Sequence, residues 1–279
     1  MSTKYFSTIL AMMLCVFASC SSAQQPPSAV PTAAKPDTTI APQKNPGKVI
    51  HVLVALCDNE NQGIVPVPAH LGNGEDTAKN LYWGAAYGVK TFFGKSKNWE
   101  RLATVANPKD HVLERIVFKH KTQNVYLVAD AYRGSKMRET IDDFFSAVSG
   151  EKREDVKAGN ASLQILGGAN VVAFVGHNGL MDFKFEKAVA KPDEESREAI
   201  ILACASRNYF SEHLQKTNAK PLLWTSNLMA PEAYILHDAL ESWINGQSAQ
   251  AVRESAAAAY AKYQKIKVSA AKKLLVTGW

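Results

Sequence analysis

The sequence predicts an α/β fold: a three-layer sandwich built around a mainly parallel central sheet. Three observations lead there. Short apolar runs rich in β-branched residues recur at 49–56, 171–175, 199–203 and 221–225, each closed by polar or turn-forming residues. Strands buried on both faces of a parallel sheet read this way. Stretches with helical apolar spacing lie between those runs, and two helical segments close the chain, the alternation expected of layered α/β proteins. An apolar fraction of 46% with 21% charged residues supplies enough hydrophobic surface for a large core.

The N-terminus reads differently. Lys4 precedes an apolar run at 9–17 that is too short to remain across a bilayer. It ends in Ala18-Ser19-Cys20, which resembles a bacterial lipoprotein signal with Phe17 at the apolar position. The resemblance implies removal of residues 1–19, acylation of Cys20 and anchoring of the mature chain in the cell envelope, outside the cytoplasm. An ordinary secretory signal cut after Ala18 or Ala23 is the alternative, and it also exports the chain. Residues 20–47 are mostly Ser, Ala, Gln, Pro and Thr and cannot bury enough surface to fold, so they read as a tether. Residues 48–279 then form one domain.

Within that domain the run at 49–56 is a strand closed by Cys57-Asp58-Asn59. The loop that follows carries Gly72-Asn73-Gly74 but lacks a phosphate-loop ending. Helical spacing is expected at 81–93 and again at 98–106. Residues 112–119 and 124–131 read as two strands joined by a turn too short for a crossover. A helix capped by Ser135 runs to Val148, and the charged segment 150–160 reads as a surface loop. A helix near 209–215, one at 232–244 with Pro231 in its first turn, and one capped by Ser248 complete the chain.

In open parallel sheets, ligands bind beyond the carboxyl ends of the strands. The residues at those ends are Asp58, Arg133, His177, Cys204, and the trio Thr225, Ser226 and Asn227. Of these, His177 and Cys204 can form a nucleophile and its base: a thiol attacks as its thiolate, which a neighbouring imidazole or helix N-terminus favours. With Cys15 removed and Cys20 acylated, Cys57 and Cys204 remain, and a disulfide between them is the competing arrangement in an oxidising compartment. The histidines show no metal-ligand spacing, no serine-nucleophile elbow is present, and Asp142-Asp143 and Glu194-Glu195 read as solvated charge. The net charge of +6 is dispersed; the lysines at 262–273 lack interleaved aromatics, which argues against nucleic acid.

An apolar strand ending in His and Gly, followed by one ending in Ala-Cys, resembles the caspase, legumain and gingipain group of cysteine peptidases. In that group the two strands are neighbours and their ends hold a His–Cys dyad. The resemblance spans roughly residues 48–230 and implies His177 as base and proton donor and Cys204 as nucleophile. It also implies the backbone N–H groups of Gly179 and Cys204 as the oxyanion site, although Asn178 intervenes between His177 and Gly179. Residues 224–227 resemble the segment that flanks substrate in these enzymes; Arg133 or Asp58, by strand-end placement alone, would line a specificity pocket. The partners implied are a peptide or protein substrate and, through Cys20, a membrane; no metal or organic cofactor is implied. A lipoprotein interaction module with an inactive site on the same fold is the alternative.

Overall fold

The computed structural model describes residues 45–189 and 192–279; the signal, Cys20 and most of the tether lie outside the described residues. Strand β1 (Lys48–Ala55) is buried along nearly its whole length. The segment after it departs from the helix expected at 81–93: turns occupy most of it, and α1 is only Val89–Lys95. The buried Asn80 accounts for this. Its carboxamide accepts from the Cys57 and Tyr82 N–H groups and donates to the Cys57 and Asn73 carbonyls, so it binds the chain in a non-helical path.

The helix expected at 98–106 is a strand. Strand β2 (Trp99–Lys109) pairs antiparallel with β3 (Val112–His120), which pairs antiparallel with β4 (Val125–Tyr132). Most of β2 is exposed, so it shows no apolar period; pairing with β3 determines its structure, not local preference. Helix α2 (Met137–Ser149) ends at Gly150, which adopts the left-handed conformation at φ 82°. The expected surface loop at 150–160 is instead mostly a hairpin, β5 (Arg153–Ala158) with β6 (Ala161–Leu166). Then come β7 (Val171–Val175), β8 (Glu198–Leu202), α3 (Ser206–Leu214) and β9 (Lys220–Thr225). Helices α4 (Ala233–Ile244) and α5 (Ala249–Gln264) follow, the latter capped by the Ser248 hydroxyl as expected. Helix α6 (Val268–Leu274) and the two-residue strand β10 (Leu275–Val276) end the chain.

The sheet order is β10-β9-β8-β7-β1-β4-β3-β2. Strands β4, β1, β7, β8 and β9 run parallel, while β10, β3 and β2 are antiparallel to their neighbours. Helices cover both faces. One face packs residues of α1, α4, α5 and α6 against Val52, Val54, Ala173 and Leu202. The other packs α2, α3 and the β5–β6 hairpin against Leu53, Phe174 and Ile201. Full burial of one such side chain as Phe174 contributes about 2–3 kcal/mol.

Polar groups inside the sheet are paired. The fully buried His51 in β1 meets Asp130 in β4 at 3.1 Å, and Arg115 in β3 grips the same carboxylate at 2.6 and 2.7 Å. Burial alone would raise the Asp130 carboxyl, but these two partners hold it down to about 2.

Candidate active site

The connection from β1 leads to β4 on one side, whereas the connections from β7 and β8 run to β9 on the other. The crevice between the β1 and β7 ends is therefore the topological switch point, where open α/β sheets place ligands. His177 stands at that crevice. Val175 pairs with Leu202 across β7 and β8, so His177 and Cys204, each two residues further on, are level at the ends of adjacent parallel strands. Gly176 joins β7 to His177 with φ 151°, and a Cβ there would meet the Ala55 carbonyl oxygen at 2.8 Å; only glycine lets β7 and β1 approach so closely at this point.

Asn178 has a role the sequence did not indicate. Its backbone is not left-handed (φ −80°). The side chain does the organising: it accepts from Leu180 N–H at 3.0 Å and donates to the Cys204 carbonyl at 2.6 Å. It thus caps the short turn at Gly179–Met181 and joins the β7 end to the β8 end. Gly179 donates its N–H to the His177 carbonyl at 3.1 Å, so in this arrangement that donor is turned back on its own chain and is not presented to an oxyanion.

Cys204 is partly exposed and its thiol is free, as is that of the buried Cys57. The Met229 N–H approaches the sulfur at 3.4 Å and the Met229 carbonyl at 3.5 Å. Ala205 follows in the left-handed conformation at φ 47°, a costly state for a residue with a Cβ, of the kind that concentrates at functional turns. Helix α3 begins immediately afterwards, its start fixed by Ser206: the hydroxyl donates to the Ile201 carbonyl at 2.8 Å and lies 3.1 Å from the Thr225 hydroxyl.

The imidazole has a different hydrogen-bond partner. His177 Nε2 lies 2.7 Å from an Asp182 carboxylate oxygen. With the thiol turned to Met229, no hydrogen bond joins His177 and Cys204 among the described residues. Neither Asp182 nor Met229 was singled out from the sequence. The Asp182 signal was its spacing, five residues after His177 across a tight turn; Met229 acts through its backbone and leaves no signal in residue type.

The other strand-end residues are mostly structural. Thr225 is fully buried, and its hydroxyl serves the Ala203 carbonyl and the Ser206 N–H, so it does not reach a cleft. The Ser226 hydroxyl donates to the Lys273 carbonyl at 2.8 Å, tying β9 to α6. Asn227 is exposed; its side chain accepts from Leu228 N–H and its carbonyl accepts from Ala205 N–H. Asp58 is buried, closing its own turn by accepting from the Glu60 and Asn61 N–H groups. It borders a cleft of about 330 Å³ with Asn59, Gly72 and Glu75. Arg133 reaches the rim of that same region, held by Glu75 and the Asp110 carbonyl.

A second open cleft, of about 620 Å³, is lined by Asp182 together with Met181, Phe183, Phe185, Tyr209 and His213 among others. A third, of about 500 Å³ against α1 and α4, includes none of the strand-end residues. The two thiols differ in surroundings. Burial pushes the Cys57 thiol up to about 11 despite a hydrogen bond from Tyr82. Strand β7 also separates β1 from β8, so the two thiols follow strands that are not neighbours, and neither is in a disulfide.

Among the described residues, no group of His, Cys, Asp and Glu is arranged to hold a metal ion, and no helix is long and apolar enough to cross a membrane. No family model matches the chain, and comparison with curated proteins and with solved structures finds no match.

Proposed function

We propose that the protein is a cysteine peptidase of the caspase, legumain and gingipain type, acting on peptides or proteins outside the cytoplasm and tethered to a membrane through acylated Cys20. One observation carries the reading: His177 and Cys204 are level at the carboxyl ends of two adjacent parallel strands, beside the switch-point crevice. The Cys204 thiolate attacks the scissile carbonyl carbon, and the thiol proton passes to His177. The C–N bond then breaks, His177 protonates the departing amine, and a thioester remains on Cys204. Water deprotonated by His177 hydrolyses the thioester and restores the thiol. No cofactor enters these steps.

A second reading is an interaction module on the same fold without catalysis. The thiol's hydrogen-bond contacts, made to the Met229 backbone and not to the imidazole, favour it. Iodoacetamide labelling separates the two. The peptidase reading expects native Cys204 to react faster than Cys204 in the denatured chain, and to form an adduct with peptidyl acyloxymethyl ketones. Native reactivity no greater than the denatured control sinks it. The tether is tested separately: a C20A variant should lose the acyl mass and the membrane association of the full chain.

A further inference from the structure

We infer that Asp182 is the positioning residue of the site, making the pair a Cys204–His177–Asp182 triad whose third member also latches the loop after β1. The inference rests on the reading of His177 and Cys204 as base and nucleophile.

The Asp182 carboxylate has two partners from two different strand ends. One oxygen lies 2.7 Å from His177 Nε2 and also accepts from the Gly63 N–H at 3.0 Å. Gly63 belongs to the loop that follows β1, and Asp182 to the loop that follows β7. The carboxylate therefore spans the switch-point crevice. A Cβ at residue 63 would meet the Asp182 carboxylate, so a larger residue there would shift that carboxylate.

The consequence for the imidazole is a choice of tautomer. A carboxylate only accepts, so neutral His177 carries its proton on Nε2. This leaves the Nδ1 lone pair as the ring's only base. When Nδ1 takes the Cys204 proton, the imidazolium lies against an ionised carboxylate that stabilises it without itself accepting the proton, as in other acyl-transfer triads. The turn of residues 179–181, capped by Asn178, sets the spacing that brings Asp182 back onto the ring.

The test is the pH dependence of Cys204 alkylation by iodoacetamide, which needs no knowledge of the substrate. Asp182→Asn keeps the acceptor oxygen but removes the charge. It should slow alkylation about tenfold near pH ~6 and displace the acid limb to higher pH, while Asp182→Glu recovers part of the rate. A purely structural Asp182 would change the rate at all pH values without moving the limb. If D182N overlays the wild type while H177A displaces the limb, the Asp182 role is overturned and the His–Cys pairing stands. If H177A also overlays the wild type, the pairing itself falls, and the triad with it. A measurement on the unaltered chain guards against misfolded variants: imidazole ¹⁵N shifts should show neutral His177 protonated at Nε2. The Nδ1–H tautomer would overturn the proposal.

Discussion

Cys57 and Cys204 occupy the same topological position. Each lies two residues beyond a parallel strand, β1 or β8, at one edge of one sheet. Their surroundings are opposite. Cys57 is fully buried, clamped through its backbone by Asn80, and its thiol is pushed up to about 11 by burial. Cys204 is partly exposed, followed by a left-handed Ala205, and contacts the backbone of Met229 and the side chain of Asn178 through its own carbonyl. A strand end is thus permission for chemistry and no more. Exposure and the geometry of the next residue decide which thiol is available to react.

The sharpest way to break this contrast is substitution. On the peptidase reading, C204S should lower peptide hydrolysis by about 10³–10⁴-fold, measured by mass spectrometry on a mixed peptide library, whereas C57S should leave it unchanged. Equal losses would erase the distinction. Reactivity gives the next largest effect. In the native protein near pH ~8, iodoacetamide should modify Cys204 at least about 100-fold faster than Cys57, with the labelled cysteine identified by peptide mapping.

Stability separates the two supports. N80A should cost about 2–3 kcal/mol in urea denaturation because it strands the buried N–H and carbonyl of Cys57. N178A should cost about 1–2 kcal/mol, since the Cys204 carbonyl is only part-buried, and should also slow Cys204 alkylation. The smallest effect is alkaline. Between pH 9.0, the ordinary thiol value, and about 11, folded Cys57 retains a proton that the unfolded chain has released. Stability therefore falls as pH rises through that window, by an amount on the order of 2 kcal/mol. The stability gap between wild type and C57A should narrow by that amount; a constant gap would show that the thiol is not buried in solution.

The parts of this molecule that were legible in the sequence are those whose own residues determine them. Strands β1, β7, β8 and β9 are apolar runs because both their faces are buried, and α2, α4 and α5 carry helical spacing. Ser248 caps α5 as expected, whereas α2 starts after Lys136 without a Ser135 cap and Pro231 precedes the first turn of α4. Strand β2 was read as a helix because its exposed residues follow no strand period and its structure comes from pairing with β3. Strand β5 was read as a loop because its exposed charged residues hide Val156, which is buried against α2's face of the sheet. The helix expected at 81–93 failed because the Asn80 carboxamide competes for the backbone. At the site, His177 and Cys204 were legible as strand-end residues. The companions were not: Asp182, Asn178 and Met229 owe their places to turns and backbone atoms, and Thr225 turned out to be a buried strut.

Strand β7, lying between β1 and β8, has one more effect. In this sheet β7 stands between the strands that lead to the two thiols, and neither thiol is in a disulfide. The strand order thus leaves Cys57 and Cys204 beyond strands that are not neighbours, and each remains a free thiol with its own surroundings.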